Sequence, residues 1–193
     1  MPARASHVTD LDIVQGLYKW ADAPAGTSHR ATVLFSGSAH SAARAAAEEL
    51  ANVFDVGVEL WSATSYKALR EEALAAERWN RLHSPVVARV PLVTELLAET
   101  TGPVVAVTDF MKIVPEQIAR FVPNRTFVPL GTDGMGRSDT REALRSFFEV
   151  DTPNIVVAVL SGLAAEGVVS QSVVAEAIAK YGLDPDRTDP YDL

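Results

Sequence analysis

"PVVAVTD", spanning Pro103–Asp109, is the stretch whose reading decides the fold. Val104 to Val107 form an unbroken apolar run dominated by β-branched residues, which pair readily as strands. A strand apolar on both faces has to be covered on both faces, the pattern of a parallel sheet held between two layers of helices. Gly102-Pro103 before the run and Thr108-Asp109 after it mark its ends.

The chain alternates on either side. Upstream, "ATVLFSGSAH" (31–40) is a short apolar run ending in Ser36-Gly37-Ser38, followed by the helix-friendly "SAARAAAEELANVF" (41–54). "VGVELWS" (56–62) alternates like a strand, and "SYKALREEALAAERWN" (65–80) and "PLVTELLAET" (91–100) read as helices. Downstream, "VPEQIARF" (114–121) predicts a helix with proline in its first turn. "TFVPLG" (126–131) predicts a strand near a sheet edge, because Pro129 has no N–H to give a neighbour. "IVVAVL" (155–160) is β-branched, yet Asp151-Thr152-Pro153 before it is a helix start, so a helix running to about Ala165 is expected. "SQSVVAEAIAKYGL" (170–183) reads as an amphipathic helix closed by Gly182.

Strands alternating with helices predict an α/β domain with a mainly parallel sheet. Residues 1–28 read as an arm and linker, and 29–193 as the domain itself. Within the arm, Leu11, Val14, Leu17 and Tyr18 share a helical face, so "IVQGLYKW" (13–20) is expected to be a short docked helix.

Composition narrows the function. Among 193 residues, 48% are hydrophobic and the net charge is −8. Such an acidic chain repels phosphate backbones, so no nucleic-acid partner is expected. The absence of cysteine removes thiolate chemistry and disulfides and points to a cytoplasmic protein. "MPARASHVTDLD" lacks the apolar stretch of a signal peptide, and the longest apolar run, Ile155 to Leu160, is too short to span a membrane.

"LGTDGMGRSDTREALRSFFEVD" (130–151) is the stretch closest to chemistry. Gly131, Gly134 and Gly136 can adopt conformations closed to other residues, and Asp139 with Glu142 fits a capping box at the start of a helix over 140–148. A helix start behind a glycine turn attracts anions, and Arg137 or Arg141 would strengthen it. Asp133 and Asp139 bring negative charge to the same place, so the turn reads first as a constrained corner with Arg137 paired to carboxylates. An anion site is the second reading. Ser36, Ser38 and His40 lie at the carboxyl end of the first domain strand, where open α/β sheets bind ligands, but one glycine is a weak phosphate signal and Ser38 serves equally as a helix cap. His83 follows Trp79 and Asn80 in "ERWNRLHSP", either a cleft lining or a corner with Trp buried and His bonded to backbone. His7 and His29 are expected in loops. No catalytic residue and no metal site emerge.

"ERWNRLHSP", "VAVTDFMKIVPEQIARFVP", the 130–151 stretch and "VVAEAIAKYGLD" resemble the C-terminal region of the homodimeric type of pyruvate dehydrogenase first component, a thiamine diphosphate-dependent enzyme. "DIVQGLYKW" looks like the piece entering that region from the preceding domain. The resemblance covers nearly the whole chain. It implies a three-layer, transketolase C-terminal-like domain with a five-stranded, mostly parallel sheet that serves dimer assembly. It implies also that the thiamine diphosphate and magnesium sites lie in two upstream domains, so this chain alone binds no cofactor. The turn's "TDG" is similar to the start of the thiamine-enzyme magnesium motif, but Asn154 is too near to complete an octahedral oxygen shell. Implied partners are the other domains or subunits of that enzyme, a second copy of the chain and, indirectly, the lipoyl-bearing acyltransferase. Three functions follow as expectations: an assembly domain or split subunit of a pyruvate dehydrogenase, a subunit of a split transketolase-like enzyme moving a two-carbon unit, or a freestanding module binding a small anion. A domain of the first kind should expose apolar surface on the 13–20 arm and the strand-end loops.

Overall fold

The computed structural model describes residues 8–83 and 86–192. His7 and Ser84-Pro85 of the quoted motifs lie outside them. Five strands form one sheet: β1 (Leu17–Ala21), β2 (His29–Phe35), β3 (Val56–Ala63), β4 (Val104–Val107) and β5 (Phe127–Leu130), in the order β1-β3-β2-β4-β5. Pairings among β3, β2, β4 and β5 are parallel, and β1 runs antiparallel along β3. The helices are α1 (Asp10–Gln15), α2 (His40–Phe54), α3 (Tyr66–Leu82), α4 (Leu92–Leu96), α5 (Ile113–Glu116), α6 (Arg141–Phe147), α7 (Thr152–Ala165) and α8 (Gln171–Tyr181).

The continuous apolar run does what its composition requires. All four β4 residues are fully buried, and successive side chains enter opposite cores. Val105 and Val107 pack with residues of α2, α7 and α8, whereas Val104 and Ala106 pack with residues of α3 and α4. The ambiguous "IVVAVL" is helix. Asp151 accepts from the Asn154 N–H at 3.1 Å, and Pro153 occupies the first turn, where no intrahelical N–H is needed. The stretch from Arg141 to Ala165 is apolar over a membrane-spanning length. It is two helices broken at Phe148–Asp151, however, and α7 buries Ile155, Val156, Val159, Leu160 and Leu163 in the domain core.

The 13–20 stretch corrects an expectation. It is not one helix: α1 ends at Gly16, whose φ of 106° only glycine takes readily, and the chain then turns into β1. Leu17 is buried while Leu11 and Val14 stay exposed, because main-chain bonds from Thr64 and Ser65 to the Gly16 carbonyl dock the turn itself. The sheet therefore extends across the expected 28/29 boundary. "VPEQIARF" likewise shortens to α5 and a 3-10 turn at Ala119–Phe121, and "PLVTELLAET" to α4. His29, expected in a loop, opens β2.

At the amino-terminal end of the strands, Arg125 ties three segments together. Its guanidinium donates to Thr32 Oγ1 at 2.9 Å, to the Thr101 carbonyl at 3.0 Å, and to the Gly102 carbonyl and Thr100 Oγ1. Burial draws its pKa below the ordinary guanidinium value, opposed by the nearby Glu166 and Glu59. Thr32 is completely buried, so removing the arginine orphans its hydroxyl. Arg125→Ala should cost about 2 kcal/mol in urea unfolding, and Arg125→Lys should recover little of it, since one ammonium cannot span the forked set of acceptors.

Candidate functional site

The chain runs from β2 to β3 on one side, then crosses to β4 on the other, so the strand order reverses between β2 and β4. In open α/β sheets a ligand crevice forms outside the carboxyl ends of the strands at such a point. Here the crevice is closed by the chain's own groups. Asp109, two residues beyond β4, accepts from the Ser38 N–H at 2.5 Å and from Ser38 Oγ at 3.0 Å. Ser36 Oγ lies 2.6 Å from Thr108 Oγ1, and both residues are buried. Gly37 has a φ of 58°, and a Cβ there would stand 2.5 Å from Asp109 Oδ2. The glycine expected as a weak phosphate signal makes room for the chain's own Asp109 carboxylate. A second anion about 4 Å from that carboxylate, with no guanidinium beside it, would meet repulsion of about 4 kcal/mol at an effective dielectric of 20.

The Gly131 turn is a corner that locks the loop after β4. A Cβ at Gly131 would lie 2.5 Å from the Phe110 carbonyl oxygen and 2.7 Å from the Lys112 nitrogen. Thr132 donates its N–H to the Phe110 carbonyl and its hydroxyl to the Asp109 carbonyl. Asp133, nearly buried, accepts from the Lys112 N–H at 3.2 Å, with the Lys112 ammonium 3.9 Å away. The loop carrying Asp109 is thus held from below.

Two expectations change here. Arg137 does not pair with Asp133 or Asp139. Its guanidinium lies 4.3 Å from the centre of the Phe147 ring, which Arg187 also approaches at 5.2 Å. The helix cap is Thr140 rather than Asp139: Thr140 Oγ1 accepts from the Ala143 N–H, and Asp139 accepts from the Thr140 N–H beside it. The shift by one residue takes Glu142 out of the capping box.

Above this floor lies an open cleft of about 490 Å³. Ser38, Asp109, Arg137, Asp139, Arg141 and Arg145 supply its polar wall, and Leu144, Phe148 and Val150 its apolar one. Of the sequence candidates, the structure brings Ser38, Arg137, Asp139 and Arg141 to this cleft. Ser36 lies buried beneath, and Asp133 serves the loop. His40 opens α2 with a buried Nδ1 that has no partner among the described residues. His83 is remote: it ends α3, stacks on Trp79 at 4.5 Å and bonds the Trp79 carbonyl through Nδ1. It is the backbone-bonded corner, though Trp79 is only partly buried.

Sequence reasoning missed Asp109 and Arg145. Arg145 donates to the Ser38 carbonyl at 2.9 Å, to Ser38 Oγ and to Ser41 Oγ. Both were findable, since Asp109 ends a parallel strand on the ligand side and Arg145 stands one helical turn after Arg141. Gly37→Ala should destabilise by about 1–2 kcal/mol through strain and the carboxylate clash. In a double-mutant cycle with Asp109→Ala the two losses should be less than additive by denaturant unfolding; strict additivity would mean that the two residues do not meet.

A family profile described as the transketolase-like TK C-terminal domain matches residues 16–151. The chain is 44% identical over 180 residues to the pyruvate dehydrogenase E1 component of Pseudomonas aeruginosa, covering 93% of this chain and 20% of that protein. It is 46% identical over 192 residues to the pyruvate dehydrogenase E1 component of Haemophilus influenzae, covering 98% of this chain and 21% of the other. The chain thus spans about a fifth of the length of these curated relatives. Among solved structures, transketolase from Campylobacter jejuni superposes with a TM-score of 0.54 at 17% identity, over 82% of this chain and 20% of that one. Transketolase from Leishmania mexicana gives 0.51 at 18%, over 81% and 19%. At such identities the structures establish a shared fold.

Proposed function

The chain belongs to the transketolase-like C-terminal domain family, and on that premise we propose that it is the assembly domain, or a split subunit, of a pyruvate dehydrogenase E1-type enzyme. The carrying observation is identity of 42–46% to pyruvate dehydrogenase E1 components along nearly the whole chain, whose own strand-end crevice is filled by Asp109. In this reading the decarboxylation of pyruvate and the transfer of acetyl to a lipoyl group, carried by the acyltransferase, take place on other domains.

Thiamine diphosphate with magnesium, the cofactor set implied by this reading, does not fit the residues present here. The glycine turn where a phosphate would sit already holds a carboxylate. Among the described residues no three His, Asp or Glu side chains converge to hold a metal. Those groups belong, on this proposal, to other domains or subunits of the enzyme.

Exposed apolar side chains support an assembly role. Phe110 and Met111, on the loop that Asp133 locks, and Ile113, which opens α5, are each more than half exposed. Phe110 borders a cleft of about 670 Å³ that it shares with Val114, Tyr66 and Thr64. The α1 turn docks against Thr64 and Ser65 and carries the exposed Leu11 and Val14. A domain packed against neighbours would cover such a surface, where each large apolar side chain contributes about 1.5–3 kcal/mol when fully buried. We place the contact with the thiamine-binding domains, or with a second copy, on this face.

The test is co-purification of the tagged chain with the polypeptide of its source organism that carries the thiamine-binding domains, followed by a pyruvate decarboxylation assay. Recovery of an active assembly is expected. The chain alone should be inactive and should show no saturable heat on titration with thiamine diphosphate and magnesium; tight binding there would overturn the reading. Phe110→Asp with Met111→Asp should abolish co-purification while leaving the chain's own melting temperature within a few degrees, because both side chains already face solvent.

A further inference from the structure

Assembly does not account for the 490 Å³ cleft above the Gly131 turn, and we propose that this cleft binds a small monocarboxylate with an apolar body. Three guanidinium groups and two carboxylates border it, which leaves one net positive charge in a chain that is otherwise acidic. The carboxylates are partly committed, Asp109 to the Ser38 N–H and hydroxyl and Asp139 to the Thr140 N–H.

The arginines are held differently, and that difference makes a receptor. Arg145 is anchored by the Ser38 carbonyl and the Ser41 hydroxyl, so its charge is fixed at the cleft. Arg137 spends the face of its guanidinium on the Phe147 ring, and stacking of this kind leaves the in-plane N–H donors available. Arg141, at the first position of α6, has no hydrogen-bond or ion-pair partner among the described residues. A planar carboxylate matches the fork of a guanidinium with two parallel hydrogen bonds. Leu144, Phe148 and Val150 then offer an apolar wall for the remainder of the ligand.

Charge selects among oxyanions. A monocarboxylate balances the cleft, whereas a phosphoryl dianion would overfill it beside Asp109 and Asp139. The ligand class is therefore a carboxylic acid with a hydrocarbon portion rather than a phosphate ester.

The experiment is a titration of the full chain with hexanoate, 1-hexanol and inorganic phosphate, followed by methyl NMR of leucine and valine. Hexanoate should saturate and move the Leu144 and Val150 methyls, with hexanol and phosphate much weaker. Arg141→Ala, at an exposed position, should keep the spectrum of the folded chain and weaken hexanoate about tenfold or more. Asp139→Asn, which adds one positive charge, should tighten phosphate more than hexanoate. Equal responses to hexanoate and hexanol, phosphate binding as tight as hexanoate, or an unaltered affinity in Arg141→Ala would each overturn the proposal. So would an absence of saturable hexanoate binding, which would leave the arginines to acidic side chains of a neighbouring chain.

Discussion

Burial of β4 on both faces is the constraint on which the rest of the molecule depends. Val104 to Val107 are all out of contact with water, and their side chains are divided between two cores. Each core needs its own layer of helices, so the sheet is held in the middle of three layers. Pairing β4 beside β2, rather than beside the preceding strand β3, also creates the reversal of strand order. That reversal puts Thr108 and Asp109 next to Ser36 and Ser38, and the closed crevice follows from it.

In many sheets of this topology the reversal point is left open for a ligand. Here a carboxylate from the chain takes the place an anion would occupy. Charge-assisted bonds to Asp109 stabilise the closure by about 1.5–3 kcal/mol each, and a second anion there with no guanidinium beside it would be repelled by about 4 kcal/mol. The corner at Gly131 to Asp133 reinforces it by holding Phe110 and Lys112, the residues that follow Asp109. The same contacts thrust Phe110 and Met111 into solvent. Closing the crevice and presenting an apolar face are thus two consequences of one loop conformation, and this is the physical basis for reading the domain as a part of an assembly.

Much of the fold was legible in the sequence where short-range rules govern. The caps at Asp151 and Gly182 placed the ends of α7 and α8, and Pro129 put β5 at an edge. The failures share a cause. Ile13 to Trp20 has helical periodicity, but the available edge of β3 pairs with Leu17–Ala21, and cross-strand bonding outweighs a weak helical preference over so few residues. Asp139 and Thr140 are both good caps, and nothing local chooses between them. Arg137 has carboxylates near it in sequence, yet the Phe147 ring of α6, which Arg187 of the carboxyl-terminal segment also approaches, meets it in space.

By itself the sequence determined the α/β class, the parallel sheet, the helical state of "IVVAVL" and a glycine turn that is a corner before it is a pocket. These follow from periodicity, capping and backbone freedom, all of which act within a few residues. Only the tertiary structure decided that Asp109 fills the crevice, that Arg145 joins Arg137 and Arg141 at one cleft, and that His83 stands apart from both. Asp109 and Ser38 are 71 positions apart and Arg145 and Ser38 are 107, and electrostatic pairing over such separations depends on which strands lie side by side. Local pattern carries no record of that order.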